Sequence, residues 1–138
     1  MNRYLLDSNT LIAAIRGQAE VRRRLQQIDA AALALSSIVL GELLVGVGKS
    51  QVKTRSQAAL EAVVSNLEVV SVNADVSRTY GTIRAELELA GQPIGANDFW
   101  IAAQAVTFGM ILVTDNLREF ERVPELKLEN WVRVGGET

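Results

Sequence analysis

At 138 residues, 49% hydrophobic and 22% charged, the chain is long enough for one domain with a buried core and too apolar for intrinsic disorder. It contains no Cys and no His, which excludes disulfides, thiolate or imidazole zinc sites, and every mechanism built on a Cys nucleophile or a His base. A net charge of −2 argues weakly against a nucleic-acid partner, but the balance turns mildly basic once a few acids are assigned to a metal.

Taken in order, Tyr4-Leu5-Leu6 is a short apolar run ending at Asp7, the pattern of a central parallel strand buried on both faces. Ser8, Asn9 and Thr10 are turn and cap residues before a helix that Gly17 ends. A second helix, about Glu20 to Ile28, carries Arg22, Arg23 and Arg24, readable as a solvated face or as a phosphate-contacting patch. Ala31 to Leu35 predicts a second strand. Ser36 or Ser37 caps the next helix, Ile38 to Val47, in which Glu42 has only apolar helical neighbours. A Glu on such a face needs a partner, a proton or a metal; the alternative is a lone exposed Glu at its edge.

Gly46 and Gly48 end that helix, and Ser50 is placed to cap another, about Gln51 to Asn66. Val69 to Val72 predicts a short strand. Asn73 caps a long helix to Ala90 that Gly91 stops, and its apolar positions Val76, Tyr80, Ile83, Leu87 and Ala90 form a core stripe or half of a dimer seam. In the stretch Gln92 to Gln104, Pro93 and Gly95 mark a turn, Asn97 is placed to cap a helix, and Asp98 sits in its first turn, where the helix dipole favours a negative charge. Phe99, Ile101, Ala102, Ala103, Ala105 and Val106 make this helix apolar nearly all round, so it is expected to be buried. After Gly109, Met110 to Val113 is a third buried strand ending at Thr114-Asp115-Asn116, and Glu119 follows in a short turn or helix. Leu126 to Leu128 is an edge-strand candidate, Trp131 is placed to cover the core end, and residues 135–138 read as a loose tail behind a single domain spanning 1–134. No apolar run approaches the length that spans a bilayer, and no secretory h-region is visible, so a cytoplasmic chain with no membrane partner is expected.

Strands alternating with helices predict an α/β fold, an open and mainly parallel sheet between helices, whose ligands bind beyond the carboxyl ends of the strands. Asp7 and Asp115 both fall there. Glu42 lies one to two turns into the helix leaving the second strand. Asp98 begins the helix entering the third, which an ordinary crossover is expected to start at the opposite edge. Two carboxylates about 5 Å apart repel by roughly 3 kcal/mol at an effective dielectric near 20, and a divalent cation reverses that sign. With no imidazole or thiolate, the simplest choice is a hard metal such as magnesium or manganese. Carboxylates and such a metal are the ingredients of phosphodiester hydrolysis.

Leu5-Leu6-Asp7-Ser8-Asn9, Gly41-Glu42-Leu43 to Gly46, Ile94-Gly95 to Asp98 with Ile101-Ala102, and Val113 to Asn116 with Glu119-Phe120 together resemble the PIN-domain ribonucleases, and more closely the VapC toxins of bacterial toxin–antitoxin pairs. The resemblance covers nearly the whole chain. It implies an α/β/α sandwich, a Mg2+- or Mn2+-dependent endoribonuclease with tRNA a plausible substrate, a homodimer, and a VapB-type antitoxin whose segment fills the active-site groove. It also implies Asp7 and Asp98 as the main metal ligands, Glu42 as a third acid, and a cleft to which the Asp98 helix is brought. Ser8 stands where the family commonly has Thr. The fourth acid often falls two residues after the strand-ending Thr, where this chain has Asn116, so Asp115, Asn116 and Glu119 are all candidates to complete the site.

Three other readings compete. Gly46 to Ser50 partly matches a phosphate loop, but its first glycine position is Leu43 and helix, not strand, precedes it. An aspartyl-phosphate phosphatase would use Asp7, but has Asn9 where a second acid is wanted. A degenerate PIN-like domain would bind its partner without cleaving.

Overall fold

The computed structural model describes residues 1–132; the expected tail, 135–138, lies outside them. Five short strands form one sheet in the order β3-β2-β1-β4-β5, all parallel: β1 Tyr4–Leu6, β2 Leu33–Ser36, β3 Glu68–Val70, β4 Ile111–Val113 and β5 Lys127–Glu129. Helices flank it: α1 Ser8–Ile15, α2 Ala19–Gln27, α3 Ser37–Gly48, α4 Lys53–Val64, α5 Ala74–Leu89, α6 Ala96–Phe108 and the single turn α7 Leu117–Phe120. The chain winds outward from β1 to β2 and β3, then returns to lay β4 and β5 on the other side of β1. The crevice between β1 and β4 is therefore a topological switch point, where an open parallel sheet leaves room for a ligand.

The central strands are apolar because both their faces are covered. Leu5, Leu6, Leu35, Leu112 and Val113 are fully buried, and α6 buries Phe99 and every residue from Ile101 to Ala105. Helix α5 packs on α6 through Val76, Ile83 and Leu87, with Tyr80 partly buried, so these positions are core within the chain, whereas Ala90 caps the helix end and is exposed. Trp131 closes the end of the core against the Tyr4 ring, 5.4 Å between centroids. None of Arg22, Arg23 and Arg24 is left over as a phosphate patch: Arg23 and Arg24 bind Glu20, and Arg22 donates to the Ala14 carbonyl.

Four expectations change. Helix α6 is capped by Gly95, not by Asn97, which lies inside the first turn with its amide free to point elsewhere. Helix α6 also does not start at the far edge of the sheet. It enters β4 through a tight turn at Gly109 and so runs antiparallel to that strand, which puts its first turn at the strand's carboxyl end; the α5–α6 hairpin supplies the extra reversal. Helix α3 buries only Val39 and Leu43, and Leu44 and Val45 are exposed. Glu42 is thus an exposed acid, and the burial penalty expected of it does not arise. Ser50 is not the cap of the next helix: it accepts the Val52 N–H before α4 begins at Lys53, and Val52 holds the cap position with no side-chain bond. Residues 37–48 are continuous helix, with no phosphate loop.

Gly109 holds φ +66, a left-handed conformation in which its N–H closes the end of α6 on the Val106 carbonyl. Gly109→Ala is expected to lower stability by about 1 kcal/mol, read as a lower urea midpoint at unchanged m-value.

Candidate active site

Asp7 follows β1 and is 6% exposed. Its backbone continues the sheet by donating to the Val113 carbonyl, which ties it to the end of β4. Both carboxylate oxygens are engaged: Oδ1 accepts from the Ser8 N–H at 2.8 Å and Oδ2 from the Thr114 hydroxyl at 2.9 Å. Burial pushes its pKa up, those two hydrogen bonds pull it down, and the charges of Glu42 and Asp115 push it further up; the net shift is upward. A buried carboxylate fixed on both oxygens, yet still short of favourable charge, is a group waiting for a cation.

The other acids gather round it from separate elements. Glu42, on α3, accepts the Ser8 hydroxyl at 2.7 Å and the Asn97 amide at 3.3 Å. Asp98 comes from the first turn of α6. Glu119, on α7, is clamped by the Gly95 N–H and by the Asn116 amide at 2.9 Å. A Cβ at Gly95 would sit 3.1 Å from Asp98 Oδ2 and 3.5 Å from Glu119 Oε1, so this glycine lets the two carboxyls approach the α6 terminus. Asp115 accepts the Asn9 amide at 3.0 Å on the other side of Asp7.

Burial first, then the charges of Asp7 and Glu119, a hydrogen bond with Glu119, and the charge of Glu42 push the Asp98 pKa up to about 7. Glu119 moves the other way. Burial opposes its ionisation, but the Gly95 N–H, the Asn116 amide, the bond with Asp98 and the Arg122 charge together hold it below its ordinary value. Of the two carboxyls, Asp98 is therefore the one that holds a proton more readily and Glu119 the one that ionises first.

All six residues singled out in the sequence therefore lie at one end of the sheet, in different relations. Asp7, Glu42, Asp98 and Glu119 are coupled by charge. Asp115 adds its charge to Asp7, and Asn116 serves Glu119. Sequence reasoning passed over Asn97 as a bridge to Glu42, Thr114 as the second anchor of Asp7, and the N–H of Gly95. A buried Thr ending an apolar strand was the only advance signal among these. The groups able to ligate are carboxylate oxygens, steadied by Asn9, Asn97 and Asn116 donating to them, and carboxylate oxygen suits a hard divalent cation. Among the described residues no three acids are already gathered at ligand distance round one point. Beside Ser8 and Glu42 a groove of about 520 Å3 runs between α1, α3 and α4, walled by Ile12, Ile15, Leu43, Val47 and Leu60.

Comparison with known proteins gives a coherent result. A family model described as "PIN domain" matches residues 4–126. The chain is 39% identical over 131 residues to the tRNA(fMet)-specific endonuclease VapC of Salmonella typhimurium, covering 95% of this chain and 99% of that one. It is 41% identical over 130 residues to ribonuclease VapC2 of Rickettsia felis, covering 93% and 97%. Among solved structures, DNA-bound VapBC from Salmonella typhimurium superposes with a TM-score of 0.89 at 39% identity, over 95% of this chain and 99% of that one.

The raised Asp98 pKa sets a pH dependence. Unfolded, Asp98 ionises near its ordinary value; folded, it holds its proton to about 7, so between those limits the folded state binds more protons and loses stability as pH rises. In EDTA the melting temperature is expected to fall between about pH 5 and pH 8, and Asp98→Asn to flatten that slope and raise the alkaline melting point. A parent curve that rises across this range would contradict the assignment.

Proposed function

The chain belongs to the PIN-domain family and, within it, to the VapC ribonucleases, and from that premise we propose that it is a Mg2+- or Mn2+-dependent endoribonuclease, the toxin of a VapBC-type pair, acting in the cytoplasm on tRNA. The observation that carries the reading is the Asp7–Asp98–Glu119 cluster, with Glu42 beside it, at the switch point of the sheet. The tRNA preference rests on relatives named as tRNA(fMet)-specific endonucleases.

Asp7 and Asp98 are the proposed metal ligands. A divalent cation held by them would supply positive charge against a phosphoryl oxygen and make an attacking water more acidic. Asp7 is pre-oriented for this role by the Ser8 N–H and the Thr114 hydroxyl. Asp98, whose pKa is raised, would have to be ionised to take part, and Gly95 and Asn116 hold the neighbouring Glu119 in place as a carboxylate. Of the three candidates to complete the site, this assigns the task to Glu119, with Asn116 positioning it and Asp115 contributing charge beside Asp7. Glu42, exposed and steadied by Ser8 and Asn97, is placed to orient the water or take its proton. No imidazole enters at any step.

The antitoxin, a VapB-type protein, is proposed to lay an apolar segment in the groove between α1, α3 and α4, where Ser8 and Glu42 join its wall to the acids. Its closeness to the acidic cluster lets one segment block access while filling the groove. A homodimer is proposed from the family.

Incubating purified protein with initiator tRNA tests the reading: cleavage is expected with Mg2+ or Mn2+ and none with EDTA. Asp7→Ala or Asp98→Ala should abolish it while the fold is kept, and parental cleavage by either variant would refute the site. Magnesium at a hundredfold excess over its Kd should raise stability by about 2.7 kcal/mol, and Asp7→Ala should remove most of that gain. Antitoxin binding with no metal-dependent cleavage of any RNA would favour the degenerate partner-binding domain.

A further inference from the structure

Five carboxylates crowd the end of the sheet, and one divalent cation leaves their sum negative. An RNA strand is a polyanion, so it needs cationic contacts outside the metal site to be held there. Most basic side chains among the described residues are already engaged. Arg3 pairs with Glu68, Arg23 and Arg24 with Glu20, Arg78 with Asp75, and Arg84 with Glu88; Arg22 and Arg122 donate to backbone carbonyls. Arg16 makes no ion pair or side-chain hydrogen bond among these residues, and it is exposed. Its position is distinctive. It lines the groove that contains Ser8 and Glu42, and it also lines a second cleft, of about 470 Å3, that contains Asn9 and Asp115. Both clefts therefore join the acids at one end and Arg16 at the other. Arg55, also exposed and unpaired, lines only the first of them.

We infer that Arg16 binds a phosphate of the substrate strand next to the scissile one, which makes it a substrate-binding residue outside the metal site. Helix α1 has eight residues, so Arg16 stands about 12 Å along its axis from the end at Asp7. That is too far for it to share the metal, and in line for a neighbouring phosphate. Its guanidinium offers a planar fork that matches phosphate oxygens, and the mouths of two clefts give a strand a way past it on either side of α1. The assignment rests on the ribonuclease reading above.

The test measures tRNA cleavage by parent, Arg16→Ala and Arg16→Lys with magnesium, and tRNA binding in EDTA across a salt series. Arg16→Ala is expected to raise KM about tenfold with kcat within about twofold, and to lower the slope of log K against log salt by about 0.7. Arg16→Lys should recover most of the KM and the whole slope, and melting temperatures should be alike because the side chain is free. A parent that cleaves normally beside an Arg16→Ala variant with parental KM and slope overturns this inference alone. Loss of kcat at unchanged KM also overturns it, since that would place the residue in the chemistry. Weaker binding of a polyglutamate peptide with RNA kinetics unchanged overturns it in favour of a protein partner. A parent that neither binds nor cleaves RNA overturns the ribonuclease reading, and this assignment with it.

Discussion

Carboxylates that approach one another in a half-buried pocket repel, and the way this chain contains that repulsion organises everything around the end of its sheet. Asp7 is buried beyond the point at which a lone charge is comfortable, and it tolerates burial only because an N–H and a hydroxyl meet its two oxygens. Asp98 holds its proton to about 7, and Glu119 ionises first. Glu42 keeps its distance by staying exposed, tethered by Ser8 and Asn97. Each solution is local, and each leaves a site whose net charge is negative and which a divalent cation would stabilise.

The fold delivers these groups cheaply because of where the sheet changes direction. Asp7 and Asp115 come from adjacent parallel strands, so they share an edge without special geometry. Asp98 arrives because α6 must run antiparallel to the strand it enters. Glu119 arrives because α7 is the first turn after β4, and the open N–H of Gly95 reaches it across the cleft. Only Glu42 depends on the pitch of a helix, and it is correspondingly the most exposed of the acids.

The strands, the helices and the acidic positions were legible from the amino acids, since buried parallel strands read as apolar runs and the acids stand at their ends. What could not be read was direction and facing. Glu42 is surrounded by apolar helical neighbours, and that pattern suggests burial, yet Leu44 and Val45 beside it are exposed; hydrophobic periodicity cannot tell a core face from one left open. Asn97 looks like a cap by composition, but Gly95 begins the helix and frees its amide for Glu42. The sequence left Asp115, Asn116 and Glu119 as equal candidates because their facing depends on where α7 begins: Asp115 and Asn116 precede the turn and engage Asn9 and Glu119, while Glu119 lies inside it.

The absence of histidine gives the Asp98 proton a further meaning. In most proteins the side chain that titrates near neutrality is an imidazole; here Asp98 takes that place because burial and three neighbouring charges lift it there. In the proposed site a proton and a metal ion would compete for the same oxygens. Metal binding there would release that proton, so affinity would weaken as pH falls below about 7, while the folded state without metal weakens as pH rises through the same range. The two slopes oppose each other because they belong to one carboxylate. An architecture that used burial alone to position Asp98 would have the second slope without the first, so opposite pH trends with and without metal are the signature of a ligand, not of a merely buried acid.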